Sequence, residues 1–591
     1  MKIMTEAKKV HTHNTLAKVV ACVIAATALG LSGCNDEELA NIQDANNKNH
    51  LAPKGTIIYK NGAIYTVNPQ QPWVEALVIK DGIIEFVGST TEASEFVVAG
   101  SEVIDLEGKM VMPGFHDVHI HPLESGSDNN HFVLDTEDNN PENFIHEIKQ
   151  AANKFPNEEW LIGYGHDIES LLEAKRNPIE ILDEAVSDRP VIIMEQTSHS
   201  MWVNSKALEL AGFNKQTIDP VGGVIMKDEF SAEPNGILID NAGNMVMDLA
   251  MAPTSQRLQR DYDGLVGYTL PELAKNGITS IADARAYWKR DHHKTWQLVE
   301  ENNELSARVV LGLWAYPEDD DIAQIATLKS LYSNDDNRLL RLNQIKLYSD
   351  GITDNTTAAM HTPYEFDMLG LAGNRGLNYF SQERLEEYIS ALETEGFDFH
   401  IHAIGERGIH ESLNAIEASG SDIGRHRITH VEVLNPSDYT RFEELNVTAD
   451  CQVAGEFTNP EHWEEVADFI GAEKAKNLVP LKNLHEAGAR VTLSSDWSVS
   501  PLNPFIGLQN AVTRAPQNLS LEEAIKSYTI NSAYVMRQEN KVGSIEVGKE
   551  ADIVVLDQNV FEVDIENIKN TKVLQTLLSG EEVYRAPSFK N

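Results

Sequence analysis

Cysteine is scarce in this chain, with three residues among 591. Cys22 and Cys34 lie close to the N-terminus, in a stretch that is expected to be removed or modified. Only Cys451 is then left for the folded part, and an intramolecular disulfide cannot form. A chain of this length can bury a core large enough to be stable without disulfides.

Basic residues are also few, since 48 Lys and Arg stand against 91 Asp and Glu, for a formal net charge of −43. Such a charge repels phosphate backbones, and no basic cluster offsets it beyond the extreme N-terminus. Nucleic acid is therefore not expected as a partner. Hydrophobic residues at 42% and charged residues at 24% are typical of a folded globular protein with a solubilising surface.

The N-terminal segment contains an apolar run from Val19 to Leu31 that is preceded by lysines. This run is too short to span a bilayer as a stable helix, and its layout is typical of a secretory signal peptide. It ends in Leu31-Ser32-Gly33-Cys34, which resembles the lipobox of bacterial lipoproteins. An ordinary signal peptide with an incidental cysteine is the alternative.

The lipobox predicts a signal peptide over residues 1–33 and a lipid on Cys34. Residues 34–53 are polar and lack apolar periodicity, so we expect a flexible tether there. The predicted location is the bacterial cell envelope, facing the periplasm, with membrane contact through the lipid anchor alone.

Both ends of the remaining chain are rich in short β-type runs. Between residues 54 and 108 these runs are separated by Asn61-Gly62 and Asp81-Gly82, which are strong hairpin signals. A second stretch of this kind lies between residues 541 and 591, around Ala551 to Leu556. The middle of the chain has a different pattern.

From Gly277 onward, apolar strands alternate with helical stretches, which indicates βα units around a parallel sheet. Residues 109–122 supply one strand, in the run Lys109 to Met112, and residues 277–540 supply the others. The total is eight, the number that a closed (β/α)8 TIM barrel requires. The other predicted strands are Ile278–Ala282, Arg308–Trp314, Gln344–Tyr348, Asp398–His402, Ile428–Val431, Val447–Gln452 and Arg490–Ser494.

Residues 123–276 are too many for a simple βα connection and contain strand-like runs of their own. We interpret them as a domain inserted after the first barrel strand. Loops that follow barrel strands emerge at the C-terminal mouth, so the insertion is expected to cover that mouth.

Several potential metal ligands follow the predicted barrel strands. His119 and His121 are two apart in an extended segment and therefore point to one side. His402, His430 and Asp496 each stand at the end of a different strand. Because active sites of barrels lie at these ends, the five side chains predict a divalent metal site.

Lys346 lies within the predicted fourth strand, where a charged side chain needs a partner. Two explanations remain open. The amine can pair with a carboxylate, or it can be carboxylated by CO2 and bridge two metal ions as an anion.

At these positions the sequence resembles the amidohydrolase superfamily, and within it the amidohydrolase-3 branch of N-substituted formamide deformylase-like enzymes. The likeness covers essentially Gly55 to Leu556. It is carried by Val-Met-Pro-Gly-Phe-His-Asp-Val-His-Ile-His-Pro from Val111, His-Ala-Ile-Gly-Glu-Arg from His402, Arg-His-Arg-Ile-Thr-His from Arg425, and Ser-Ser-Asp ending at Asp496.

The resemblance implies a barrel flanked by one small β-sandwich built from both chain ends. It implies His119, His121, His402 and His430 as metal ligands, Lys346 as the bridge, and Asp496 as ligand and catalytic acid–base. Two zinc ions suit imidazoles with a bridging carboxylate, although one ion is the better arrangement if Lys346 is unmodified.

The inserted domain matches the branch at Ser198 to Ser205, where relatives read Gly-His in place of Ser198-His199. His199 is therefore expected to face the substrate, the alternative being an imidazole satisfied within the insertion. The sequence departs from the family pattern at two positions, where His166 replaces an aromatic residue and Glu406 replaces an aspartate. These departures argue against assigning a relative's substrate to this chain.

The predicted reaction is hydrolysis of a non-peptide amide-type C–N bond in a small molecule. A metal lowers the pKa of a bound water towards neutrality, and Asp496 is placed to accept its proton. A mononuclear deaminase that uses Glu406, a lactonase or esterase, and a non-catalytic lipid-anchored binding protein are the alternatives. Neither substrate nor oligomeric state follows from the sequence.

Overall fold

The computed structural model describes residues 55–127, 131–135, 140–455, 459–460 and 463–590. The predicted signal peptide, Cys34 and the tether lie outside these residues. Within the described ranges no helix combines the length and the apolar character needed to cross a membrane.

The first residues of the described chain form a sheet of four strands. The hairpin predicted at Asp81-Gly82 is confirmed, because the strands on either side of it pair antiparallel. The one predicted at Asn61-Gly62 was wrong, since this dipeptide joins Thr56–Lys60 to Ala63–Tyr65, a strand of a different sheet. The last strand of the four-stranded sheet joins in parallel. A short helix, Thr90–Ala93, starts at Ser89, whose side chain and Glu92 form a capping box. In spatial order the strands are Ile83–Gly88, Ala76–Lys80, Thr56–Lys60 and Glu102–Asp105.

A six-stranded sheet joins the two ends of the chain. Val111 pairs with Val555, so a strand from the N-terminal part lies directly against one from the C-terminal part. This confirms the predicted β domain built from both ends. The strands in order are Glu581–Arg585, Val573–Leu578, Ile553–Leu556, Met110–Pro113, Ala63–Tyr65 and Trp73–Val74.

Eight parallel strands form the barrel sheet, in sequence order around the sheet. The last strand returns to the first, where Asp496 N donates to His119 O at 2.9 Å and His121 N donates to Trp497 O at 2.8 Å. The predicted barrel is thus confirmed. Its strands are Phe115–Ile120, Ile278–Ala286, Arg308–Trp314, Leu340–Tyr348, Asp398–Ala403, Arg427–His430, Thr448–Gln452 and Val491–Ser494.

The assignment of Lys109 to Met112 as the first barrel strand was wrong. Met110–Pro113 belongs to the six-stranded sheet, and the first barrel strand is Phe115–Ile120. Gly114 separates them, and a Cβ there would lie 2.3 Å from Thr279 Oγ1. Two buried strands that follow each other with one glycine between them read as a single run in the sequence. His119 accordingly lies within the first strand rather than after it.

The inserted domain contains a six-stranded sheet of its own. One face of this sheet, which includes Trp202, shares a hydrophobic core with Phe144 and Ile148 of the helix Phe144–Lys154. The strands in order are Gly223–Lys227, Pro234–Asp240, Ser200–Val203, Val191–Glu195, Leu161–His166 and Phe132–Val133. The helices between the first and second barrel strands are Pro122–Gly126, Phe144–Lys154, Ile168–Leu172, Pro178–Ala185, Ser205–Ala211, Asn241–Ala250, Ser255–Gly264 and Leu270–Lys275, with a π-helical turn at Leu265–Thr269.

Helices after the second strand surround the barrel, as βα units require. Trp296, Tyr388 and Tyr528 from this layer are fully buried against the strands. The helices are His292–Glu301, Asp321–Leu331, Gln382–Glu393, Glu406–Ser419, Arg441–Glu444, Trp463–Ile470, Ala472–Ala475, Leu481–Glu486, Pro504–Thr513, Leu521–Tyr528 and Ile530–Val535.

Candidate metal centre

His119 and His121 meet Asp496 at the mouth of the barrel. His121 Nε2 lies 2.9 Å from Asp496 Oδ1, and His119 Nε2 lies 3.4 Å from the same oxygen. The alternation of a strand brings both imidazoles to one side, and closure of the barrel brings the carboxylate of the eighth strand to them. These three predicted residues are therefore brought together by the fold.

His430 completes a cluster with two of these residues. One ligand atom from each of His119, His430 and Asp496 can be chosen so that all lie within 4.8 Å of one another. His430 and Asp496 have φ angles of 76° and 56°, a left-handed conformation that non-glycine residues seldom adopt. Backbone strain of this kind is concentrated at functional sites.

His402 has the hydrogen bonding of a metal ligand. Its Nε2 lies 3.1 Å from Gly351 O, whereas its buried Nδ1 has no hydrogen-bond partner. A metal-binding histidine commonly donates its second N–H to a carbonyl, which fixes the tautomer that leaves the other nitrogen free. The His402 ring lies 4.5 Å from the His430 ring, between centroids.

Lys346 is completely buried, and its Nζ has no hydrogen-bond partner. Among the ion pairs of the described residues there is none to Lys346, so the salt-bridge explanation loses its support. Burial, followed by the competing effects of Asp496 and Arg285, holds the pKa of the amine well below its usual value. A neutral, unpartnered amine is the form that reacts with CO2.

Burial governs the ionisation of the whole cluster. It lowers the pKa of His119, His121 and His402, and it lowers that of His430 to about 3. These imidazoles are therefore neutral and keep lone pairs for a metal. Burial alone would raise the pKa of Asp496, but the hydrogen bond with His121 holds it below its usual value.

A second group of polar residues, absent from the sequence-based prediction, lies behind His119. His119 Nδ1 is 2.9 Å from both Thr429 Oγ1 and His400 Nε2. Thr429 in turn donates to Asp450 Oδ2 at 2.8 Å. His400, His119 and Asp450 also meet the geometric requirement for a metal site. His400 could have been found from the sequence, because it stands two residues before His402 on the same strand face.

Arg427 connects this group to the barrel interior. Its Nη2 donates to His400 Nδ1 at 2.7 Å, to Gln344 Oε1 at 3.0 Å and to Val118 O at 2.8 Å. Arg427 on the sixth strand lies opposite His400 on the fifth, so this contact depends on the register in which the two strands pair. Local sequence pattern contains no signal for it.

His199 reaches the site from the inserted domain. Its ring stacks on Tyr348 with centroids 5.5 Å apart and lies 5.4 Å from the ring of His402. Its Nδ1 is 2.6 Å from Asp240 Oδ1, while its Nε2 has no hydrogen-bond partner among the described residues. The structure therefore places His199 beside the predicted ligands, with one nitrogen fixed and the other available.

Glu406 and His166, the two residues that depart from the family pattern, contact residues outside the metal cluster. Glu406 Oε1 forms an ion pair with Lys474 Nζ at 2.7 Å, so its carboxylate is already engaged. His166 is fully buried, within ring contact of Trp202 in the inserted sheet. A proton shuttle must be free to reach the substrate, so the Lys474 contact weakens the deaminase alternative.

The donor set fits a divalent metal of the zinc type, because neutral imidazoles and a carboxylate converge and unpartnered buried atoms face the same region. His402 Nδ1 and Lys346 Nζ would each cost free energy if nothing bound them. A barrel with such a site at its C-terminal mouth defines the class of metal-dependent hydrolases.

Comparison with known proteins agrees with this class. The model of the Amidohydrolase family matches residues 102–584. A putative amidohydrolase, YtcJ, from Bacillus subtilis strain 168 is 28% identical over 89% of this chain and 99% of its own. The N-substituted formamide deformylase of Arthrobacter pascens is 25% identical over 88% of this chain and 96% of its own.

Solved structures share the architecture. An uncharacterized metal-dependent hydrolase from Pyrococcus furiosus has a TM-score of 0.66 and 26% identity, covering 85% of this chain and 99% of its own. An uncharacterized metal-dependent hydrolase from Pyrococcus horikoshii OT3 has a TM-score of 0.69 and 24% identity, covering 87% of this chain and 99% of its own. This second likeness shows that the two proteins share a fold. The chain belongs to the Amidohydrolase family and is a metal-dependent hydrolase.

Proposed function

We propose that this hydrolase cleaves a C–N bond of the amide type in a small molecule. The observation that carries the proposal is the convergence of His119, His430 and Asp496 within 4.8 Å, beside the unpartnered Nδ1 of His402. The similarity of this chain to an N-substituted formamide deformylase, along nearly its whole length, favours an amide as the substrate.

Two zinc ions fit the ligands best. His119, His121, His402, His430 and Asp496 would hold them, with Lys346 as the carboxylated bridge. Two observations support this arrangement: the Lys346 side chain is completely buried, and its Nζ has no hydrogen-bond partner. Carboxylation of the amine and binding to two cations would supply the interactions that it lacks. When bound, the metal supplies Lewis acidity and makes water a nucleophile near neutral pH.

Asp496 is the residue placed to move the proton. Its low pKa keeps the carboxylate ionised and therefore able to accept a proton as water attacks the carbonyl. The same group can then return that proton to the leaving nitrogen. His119 and His121 hold it from one side, which fixes the carboxylate oxygen in position.

His199 is proposed as a contact of the bound substrate. Its Nδ1 is held by Asp240, and the ring is fixed against Tyr348, so the orientation of Nε2 is set before substrate arrives. Because His199 belongs to the inserted domain, substrate choice depends on that domain as well as on the barrel.

Envelope location is a separate proposal, based on the Leu31-Ser32-Gly33-Cys34 sequence. Expression of the full chain in a bacterium with labelled palmitate tests it. Label on the wild type and none on Cys34→Ala are expected. Label on both, or on neither, would contradict a lipid on Cys34.

Metal analysis combined with an amide assay tests the enzymatic proposal. Protein lacking residues before Asn35 should contain about two divalent ions per chain, falling to about one or fewer in Lys346→Ala. A panel of N-substituted formamides and N-acyl amines, assayed with and without a chelator, should show metal-dependent release of amine. Hydrolysis of esters or lactones in place of every amide would overturn the C–N assignment.

The count of ions separates the alternatives. One ion in both wild type and Lys346→Ala would remove the bridging role of Lys346. Lys549→Ala is a matched control, because Lys549 is a largely buried lysine whose Nζ bonds to Ser544 Oγ and Glu539 O in a part of the chain that does not contact the metal ligands. Its metal content should equal that of the wild type.

A further inference from the structure

A buried arginine lies next to the metal ligands without being one of them. Arg285 is the last residue but one of the second barrel strand, Ile278–Ala286, and its side chain is 7% exposed. Its Nε donates to His121 Nδ1 at 3.2 Å, its Nη1 to Tyr348 Oη at 3.2 Å and its Nη2 to Glu124 Oε2 at 2.5 Å. The guanidinium is thus separated from the proposed metal position by the width of one imidazole ring.

These contacts leave part of the guanidinium unused. A guanidinium has five N–H donors, and three are engaged by the bonds to His121, Tyr348 and Glu124. The other two have no hydrogen-bond partner among the described residues. Glu124 is the carboxylate that pairs with it, and the remaining two contacts are to neutral groups.

The His121 contact is expected to be lost when metal binds. A histidine that binds metal through Nε2 carries its hydrogen on Nδ1 and cannot accept from Arg285 there. The guanidinium then has a third free N–H, close to the place where substrate must lie. Tyr348 faces the same place, since its ring stacks on that of His402 with centroids 4.0 Å apart.

We propose that Arg285, together with the Tyr348 hydroxyl, binds a carboxylate of the substrate next to the hydrolysed bond. The planar fork of a guanidinium matches the two oxygens of a carboxylate, and such bonds are strong when they are shielded from water. The substrate class that follows is an amide with a carboxylate on its acyl or amine part. This inference rests on the proposed amide hydrolysis.

Glu124 sets the strength of this binding. In the free protein it neutralises Arg285, which makes burial of the cation tolerable. A substrate carboxylate must therefore share the guanidinium with Glu124. Removal of the Glu124 charge should strengthen carboxylate binding, whereas removal of the Arg285 charge should weaken it.

Binding of simple probes tests the proposal without turnover. Zinc-loaded protein is titrated calorimetrically with acetate and benzoate and with the neutral isosteres acetamide and benzamide. Arg285→Gln should lose about 10- to 100-fold in carboxylate affinity, as expected for charged hydrogen bonds, with amide affinity unchanged. Glu124→Gln should gain affinity for carboxylates alone.

Arg290→Gln is the matched control. Arg290 is a buried arginine five residues further along, paired with Asp248 at 2.6 Å and packed on Tyr287. It has no contact with the metal histidines, so its replacement should leave probe affinities unchanged while perturbing the same loop. Zinc content and thermal unfolding of all variants show whether each retains the folded site.

Three results would overturn the proposal. They are no carboxylate binding to the wild type at millimolar concentration, equal carboxylate affinity in Arg285→Gln, and parallel loss of both probe classes. The second would mean that the metal alone holds the carboxylate, and the third that Arg285 only positions His121. A negative amide assay with intact carboxylate binding would instead count against the proposed reaction.

Discussion

The two sides of the metal centre differ in how well the protein alone satisfies them. Behind His119, hydrogen bonds run through Thr429 to Asp450, and His400 contacts the same nitrogen. Around the fourth and fifth strands, Lys346 Nζ and His402 Nδ1 are buried with no partner. One side is held by hydrogen bonds within the protein, and the other needs something bound.

This difference predicts which side of the site is stabilised more when metal binds. The satisfied side costs nothing further when metal is absent, and it orients its ligands in advance. The unsatisfied side carries the desolvation cost of two polar atoms until a metal, and CO2 on the lysine, complete it. Metal binding should therefore stabilise the second side more than the first.

Asp496→Asn should have the largest effect on function, because an amide cannot accept the proton that hydrolysis releases. We expect kcat to fall by about 1,000-fold, within the range for loss of a general base. Steady-state kinetics at equal metal content measure it. Asp398→Asn is the control, since Asp398 is also buried but bonds to Arg537, and it should lower stability while keeping kcat. Near-normal turnover by Asp496→Asn would contradict the assigned role.

Removal of metal should have the next largest effect, now on stability. Ligand binding to the native state alone contributes about 3–4 kcal/mol when the metal is 100 to 1,000 times above its Kd. Thermal unfolding before and after chelation measures the difference. A smaller difference in Lys346→Met than in the wild type is expected, and an equal difference would deny that Lys346 contributes to binding.

Thr429→Val tests the satisfied side. Loss of the hydroxyl removes one partner of His119 Nδ1 and one donor to Asp450, so zinc affinity should fall about 10- to 100-fold. Competition with a chromophoric chelator gives the affinity. Thr448→Val, at the bottom of the next strand, is a control whose zinc affinity should not change.

Lys346→Met should have the smallest effect. In metal-free protein it should raise the free energy of unfolding, whereas the other changes lower activity, stability or metal affinity. Replacing an unpartnered buried amine by an apolar chain of similar length removes a desolvation cost of about 1 kcal/mol. Urea unfolding of chelated protein should therefore show a gain in stability, whereas Thr429→Val should show a loss. A loss of stability in both variants would mean that the protein satisfies the hydrogen bonding of both sides equally.

The sequence was a good guide to the seven barrel strands after the first. Each of those strands is present, and Arg308–Trp314 has the predicted bounds. It failed at Met110–Pro113 because two consecutive buried strands separated by Gly114 have one continuous apolar pattern. It also failed to identify Asp450 and Arg427. Their partners Thr429 and His400 lie opposite them on adjacent strands and become neighbours only when those strands pair in this register.

The sequence by itself determined the class of chemistry, because imidazoles and a carboxylate at strand ends recur in a pattern that local periodicity reveals. Tertiary structure decided which of their nitrogens are free, since a tautomer depends on partners such as Gly351 O and Thr429 Oγ1 that come from distant segments. It also decided that Arg285 stands beside His121. Long-range contacts set hydrogen bonding and burial, and these have no signature in a run of neighbouring residues.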